Sequence, residues 1–127
     1  MSNGTKSLLV ASLGIIFFAV VGCRAHEEYL EGRDQAEIDL AKGILKVAIE
    51  DGTNMPAFGE YTVLLRDRYR IGWISYSLPS NREAAAEWVR GYNEVALPRI
   101  KTDFGAQVLE KTMADAQKLH GTMTTKH

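Results

Sequence analysis

Leu8 to Val21 is an unbroken run of fourteen uncharged, mostly apolar residues, and it withdraws the first part of the chain from any folded core. One cation, Lys6, precedes it. A short cationic start followed by an apolar block is the layout of a secretory leader. The run is too short to cross the hydrocarbon core, which needs about 20 apolar residues, and Arg24 and the acids after it prevent any extension. Removing residues 1–22 leaves 105 of the 127 residues. That is enough for one domain with one modest core.

The end of the block sharpens this reading. Val20-Val21-Gly22-Cys23 resembles the lipobox of bacterial lipoproteins, where small or aliphatic residues precede an obligatory cysteine. The resemblance implies that Cys23 carries a diacylglyceryl group, that the Gly22–Cys23 bond is cut, and that the new amine is acylated, palmitate being a typical chain. Two or three chains anchor firmly, since each buried CH₂ contributes about 0.8 kcal/mol. Cys23 is the only cysteine, so no disulfide framework exists and lipidation would remove a lone thiol. The alternatives are cleavage after Ala25, with Cys23 discarded, or an uncleaved anchor. Arg24 stands where an Asp would signal inner-membrane retention. By the same resemblance the expected address is the outer membrane, facing the periplasm, with the inner membrane and the cell surface as alternatives.

Charge narrows the partners. The leader removes one of 15 basic residues and none of the 16 acids, so the remainder carries a net charge near −2. A nucleic-acid binder would carry a cationic excess, so that class is set aside. Residues 27–51 hold eight acids against three bases, and the sign reverses over residues 61–101.

The pattern predicts a mainly α domain with minor β. About four helices are expected, with one short extended segment or hairpin near 61–78. Residues 23–33 read as a lipidated Cys and polar tether, 34–121 as the single globular domain, and 122–127 as a flexible tail. Asp34 with Glu37 opens a capping box. Ile38, Ala41, Leu45, Ala48 and Ile49 then recur at helical spacing, and Gly52 is placed to end a helix over 34–51. Phe58 to Tyr69 suits a helix better than a strand. Ile71 to Leu78 is β-branched and aromatic and reads as extended, with residues 61–66 or a second chain as its ladder partner. Ser80 with Glu83 opens the next helix. Pro98 kinks it or restarts it, and a last helix runs from about Gly105 to Gly121. Glu60-Tyr61, Leu64-Leu65, Arg68-Tyr69, Gly91-Tyr92-Asn93, Ile100 and Phe104-Gly105 are similar to short bacterial proteins with no assigned activity, and the likeness implies no chemistry.

Catalytic motifs are not found. His26-Glu27-Glu28 lacks the second His of H-E-x-x-H. His120 and His127 lie near the end of the chain, and Ser75 and Ser77 lack a nucleophile elbow. No metal-ligand spacing occurs, so neither metal nor cofactor is expected. Two features remain. Trp73, Tyr76, Trp88 and Tyr92 are core candidates, with Trp73 and Tyr76 as an alternative exposed aromatic surface. Arg66, Arg68 and Arg70 form a dense cationic cluster suited to an anion such as a lipid headgroup or glycan. The reading is a non-enzymatic interaction module, anchored to the membrane through Cys23, with an envelope protein or glycan as partner. An envelope enzyme accessory, or an inhibitor or immunity-type protein using loop 52–60, is the alternative.

Overall fold

The structure, a computed structural model, describes residues 24–50 and 54–125. Within them the chain is mainly α with a small β element. Helix α1 (24–41) leads into strand β1 (Leu45–Glu50). Helix α2 (Phe58–Tyr69), strand β2 (Ile71–Tyr76), and helices α3 (Arg82–Phe104) and α4 (Val108–Thr125) follow.

Two expectations about the first half are corrected. Residues 24–33 are not a tether but the opening turns of α1. The expected helix over 34–51 ends ten residues early, and residues 45–50 are a strand. The cause is Gly43. At φ 74° it takes the left-handed conformation, while its N–H bonds to Leu40 O (3.0 Å) and that of Ile44 to Asp39 O (2.9 Å). This pair of bonds terminates a helix by satisfying its last carbonyls. Ile38, expected on the inward stripe, is 49% exposed. The inward stripe of α1 is Gly32, Ala36 and Asp39.

Strands β1 and β2 pair in parallel, Leu45 opposite Ile71 through Glu50 opposite Tyr76. The partner of β2 is therefore neither residues 61–66, which lie in α2, nor a hairpin arm. Parallel strands need a long crossover, and α2 supplies it, with Arg70 alone joining α2 to β2. Arg70 turns the chain in a left-handed conformation (φ 58°), its N–H bonded to Arg66 O.

Alternation along the strands separates two cores. Leu45, Val47 and Ile71 face Tyr61 and Leu65 of α2 and Val108 and Ala116 of α4. Ala48, Ile74 and Tyr76 face Ala36 of α1 and Trp88, Val89, Tyr92 and Ala96 of α3. The small sheet thus lies between two helical layers, the burial on both faces that parallel sheets require. Helix α3, about 34 Å long at 1.5 Å per residue, reaches both cores because Ile100 near its C-terminus joins the α2/α4 cluster. It runs without a break through Pro98.

Two smaller corrections concern helix ends. The α3 cap is Asn81, whose Oδ1 accepts the Ala84 N–H (3.1 Å), and not Ser80. Gly121 does not close α4, which continues through Thr125, so most of the expected 122–127 tail is helical. Cys23 and the leader lie outside the described residues.

Candidate functional site

Helices α1 and α3 touch backbone to backbone. A Cβ on Gly32 would lie 2.1 Å from Trp88 O, and one on Gly91 would lie 2.1 Å from Tyr29 O. This mutual approach sets three aromatic rings of the layer in a row. Tyr76 stacks on Trp88 (centroids 4.2 Å, interplanar 12°), and Trp88 on Tyr92 (5.4 Å, 17°). Each end of the row is tied to α1. The Tyr92 hydroxyl donates to buried Asp39 (2.5 Å), which also accepts from Gln35 (3.0 Å). The Tyr76 hydroxyl donates to Glu28 (2.6 Å). Burial, then the bond to Asp39, raises the Tyr92 phenol well above its ordinary value. Burial, then Glu28, pushes Tyr76 up to about 12. At the rim, Tyr29 donates to Glu94, which also pairs with Arg33 (3.2 Å) and Arg90 (2.7 Å). The Tyr29 hydroxyl and the two guanidinium groups hold Glu94 below the usual carboxylate range.

The row is structural. Trp88 is 6% exposed, so a ligand cannot stack on it. Trp73 and Tyr76, grouped by sequence as an aromatic surface, lie on opposite faces of the sheet because their spacing is odd. Trp73 is 44% exposed and meets Phe58 edge to face (5.2 Å) on the α2 side.

The arginine cluster is also divided. Arg68 pairs with Asp115 of α4 (2.6 Å) and Arg66 with Asp67 (3.0 Å), while Arg70 has no ion pair among the described residues. All three are exposed. The bond from Arg68 holds Asp115 below its ordinary value. Two of the three charges are thus offset by neighbouring carboxylates before any anion arrives.

One open apolar feature has no counterpart in the sequence reading. Gly59, Glu60, Val63, Leu64 and Leu119 line a concavity of about 420 Å³ between α2 and α4. Val63 is 43% and Leu119 45% exposed. Glu60 and His120 bridge the two helices there (3.1 Å), and the Glu60 backbone amide, then His120, hold this carboxyl below its usual range. Sequence spacing could not reveal the feature, since Val63 and Leu119 come from helices far apart in the chain. The walls can accept an apolar side chain, and Glu60 is the only carboxylate among the described residues that line them.

Among the described residues, no three His, Cys, Asp or Glu side chains are grouped to hold a metal ion. No helix there is long and apolar enough to cross a membrane. Every buried side-chain polar atom among them has a hydrogen-bond partner. Comparison with known protein families, curated proteins and solved structures finds no match, and so nothing among them that points to catalysis.

Proposed function

We propose that this is an exported envelope protein, anchored by lipid on Cys23, whose domain is a non-enzymatic contact module. The observation that carries the reading is Val20-Val21-Gly22-Cys23 at the close of the apolar run, in a chain with no other cysteine. Residue 24, directly after that cysteine, already lies in helix α1. The domain would therefore sit against the bilayer with no spacer, and the acids Glu27, Glu28 and Glu31 near its start would tilt it off an anionic surface. Its contact surface is the side of α2 and α4 that exposes Val63 and Leu119. Scattered apolar residues are ordinary on a surface, whereas a concave apolar cluster is a recurrent mark of protein contact. The partner class is an envelope protein offering an apolar side chain, and the address is the outer membrane, periplasmic side.

The experiment has two arms. Labelled palmitate should enter the protein, Cys23→Ser should abolish the label, and density-gradient fractions should place the native chain with outer-membrane markers. A native chain that takes up no label refutes the anchor. A photocrosslinking residue at position 63 or 119 should capture a defined envelope protein that the same probe at exposed Lys111 does not. Equal patterns at all three positions refute the contact surface.

A further inference from the structure

A two-stranded sheet has two outer edges, and this protein treats them differently. On β1 the edge is closed. The Ala48 N–H donates to Asn93 Oδ1 (2.8 Å) and Asn93 Nδ2 donates to Ala48 O (2.9 Å), so one side-chain amide stands where a third strand would. That contact also fixes the orientation of every backbone group. Ala48 faces outward, so its register partner Ile74 faces β1, and Trp73 and Ser75 face away on the far edge of β2. Their N–H and C=O groups have no hydrogen-bond partner among the described residues, and both residues are exposed. Exposed edges are normally blunted by charge, proline or a bulge. Strand β2 contains no charge and no proline, and no charged residue occurs from Ile71 through Asn81.

We propose that the β2 edge is closed by the β2 edge of a second copy of this chain, antiparallel, giving one four-stranded sheet in the order β1-β2-β2-β1. A two-fold axis makes such a contact self-complementary, and four strands reach the commonest size of a sheet, about 4–6 strands. Trp73 then lies opposite Ser75 of its partner, and Gly72 opposite Tyr76, so a large side chain meets a small one at these positions, while Ile74 meets its own copy at the two-fold axis. The charges agree as well. Glu28 bonds the Tyr76 hydroxyl, and the charge of Glu31 also acts on Tyr76. Two positions beyond the Gly72 that faces Tyr76 is Arg70 of the partner subunit, the arginine of the cluster without an ion pair among the described residues. The contact needs no lipid and does not depend on the anchor at Cys23.

The test uses the full chain carrying Cys23→Ser, in detergent with micelles in large excess over protein. Sedimentation equilibrium should give a dimer, and hydrogen exchange should show the amides of Trp73 and Ser75 protected. Ser75→Lys puts a charge in the middle of the seam on an exposed side chain that makes no hydrogen bond among the described residues. It should yield a monomer with an unchanged circular dichroism spectrum, a melting temperature that no longer depends on protein concentration, and fast exchange at Trp73. Arg70→Glu should raise the dimer dissociation constant about tenfold or more through like-charge contact with Glu28 and Glu31. A monomeric parent with freely exchanging Trp73 and Ser75 amides overturns the proposal. So does a dimer that survives Ser75→Lys undiminished, or a monomer that gains this protection only when an extended peptide is added.

Discussion

The two helical layers on either side of the sheet are built on different principles. Where α1 meets α3, two glycines bring the backbones together, three rings stack, and both outer phenols of the row are bonded to carboxylates of α1. Where α2 meets α4, the contact is mainly aliphatic, with Leu65, Val108 and Ala116 beside the buried ring of Tyr61 and an open concavity at its side. Across the surface the exposed pair Arg68–Asp115 and the half-buried pair Glu60–His120 tie those helices, and an exposed pair contributes little. The first layer has many interlocking geometric requirements and the second has few. Rigidity therefore belongs to α1/α3, and adaptability to the face with Val63 and Leu119.

The sharpest way to break this contrast is Trp88→Ala. It removes the middle ring of the row, and the loss expected for a buried large aromatic is about 3–5 kcal/mol, measured by denaturant unfolding. A change under about 0.5 kcal/mol, typical of surface sites, would mean that the row bears no weight. Next comes Gly91→Ala. The added methyl meets the Tyr29 carbonyl of a helix backbone, which cannot yield as a side chain would, so the helices must separate. Overpacking of this kind costs about 1–3 kcal/mol. Gly59→Ala in α2, where a Cβ meets nothing, is the control and should be neutral or slightly stabilising.

A pH titration reads the buried phenols of the two layers directly. Tyr76 and Tyr92 hold their protons in the folded state beyond the ordinary tyrosine value of about 10, to about 12 for Tyr76. Above pH ~10 the unfolded chain loses phenolic protons that the folded chain keeps, so stability is full below that pH and falls as pH rises. Tyr61 in the other layer, raised by burial and then by Glu110, acts with the same sign. Phenolate absorbance followed together with ellipticity should show these tyrosines ionising late and with unfolding. Tyr92→Phe should shrink the alkaline loss. The smallest effect is expected for Leu119→Ser, on the adaptable face, where stability should change by no more than about 0.5 kcal/mol.

The difference between the layers also explains what could be read from the sequence. Helices α2, α3 and α4 and the extended segment at β2 announce themselves through apolar periodicity, because each buries large side chains such as Tyr61, Leu65, Trp88 and Ile100. Helix α1 does not, because its inward positions are Gly32, Ala36 and Asp39. Those residues carry no hydrophobic signal and earn their place through close approach and a hydrogen bond to Tyr92. Strand β1 was hidden by coincidence. Leu45, Ala48 and Ile49 fit a helical stripe, Leu45, Val47 and Ile49 fit strand alternation, and only the terminator at Gly43 decides between them. The candidate contact surface was hidden by topology. Val63 and Leu119 meet only because the crossover helix lands beside α4, and Trp73 parts from Tyr76 because a strand alternates.

Helix α1 is thus an integral part of the fold, and its layer is the rigid one. Native-state hydrogen exchange, which reports local opening energies along the chain, tests it residue by residue. The slowest exchange should fall in residues 32–40 and 88–96, near the limit set by global unfolding, with earlier openings in residues 62–68 and 112–119. Exchange of residues 32–40 at unstructured-chain rates, or greater protection in α2 and α4 than in α1 and α3, would contradict it.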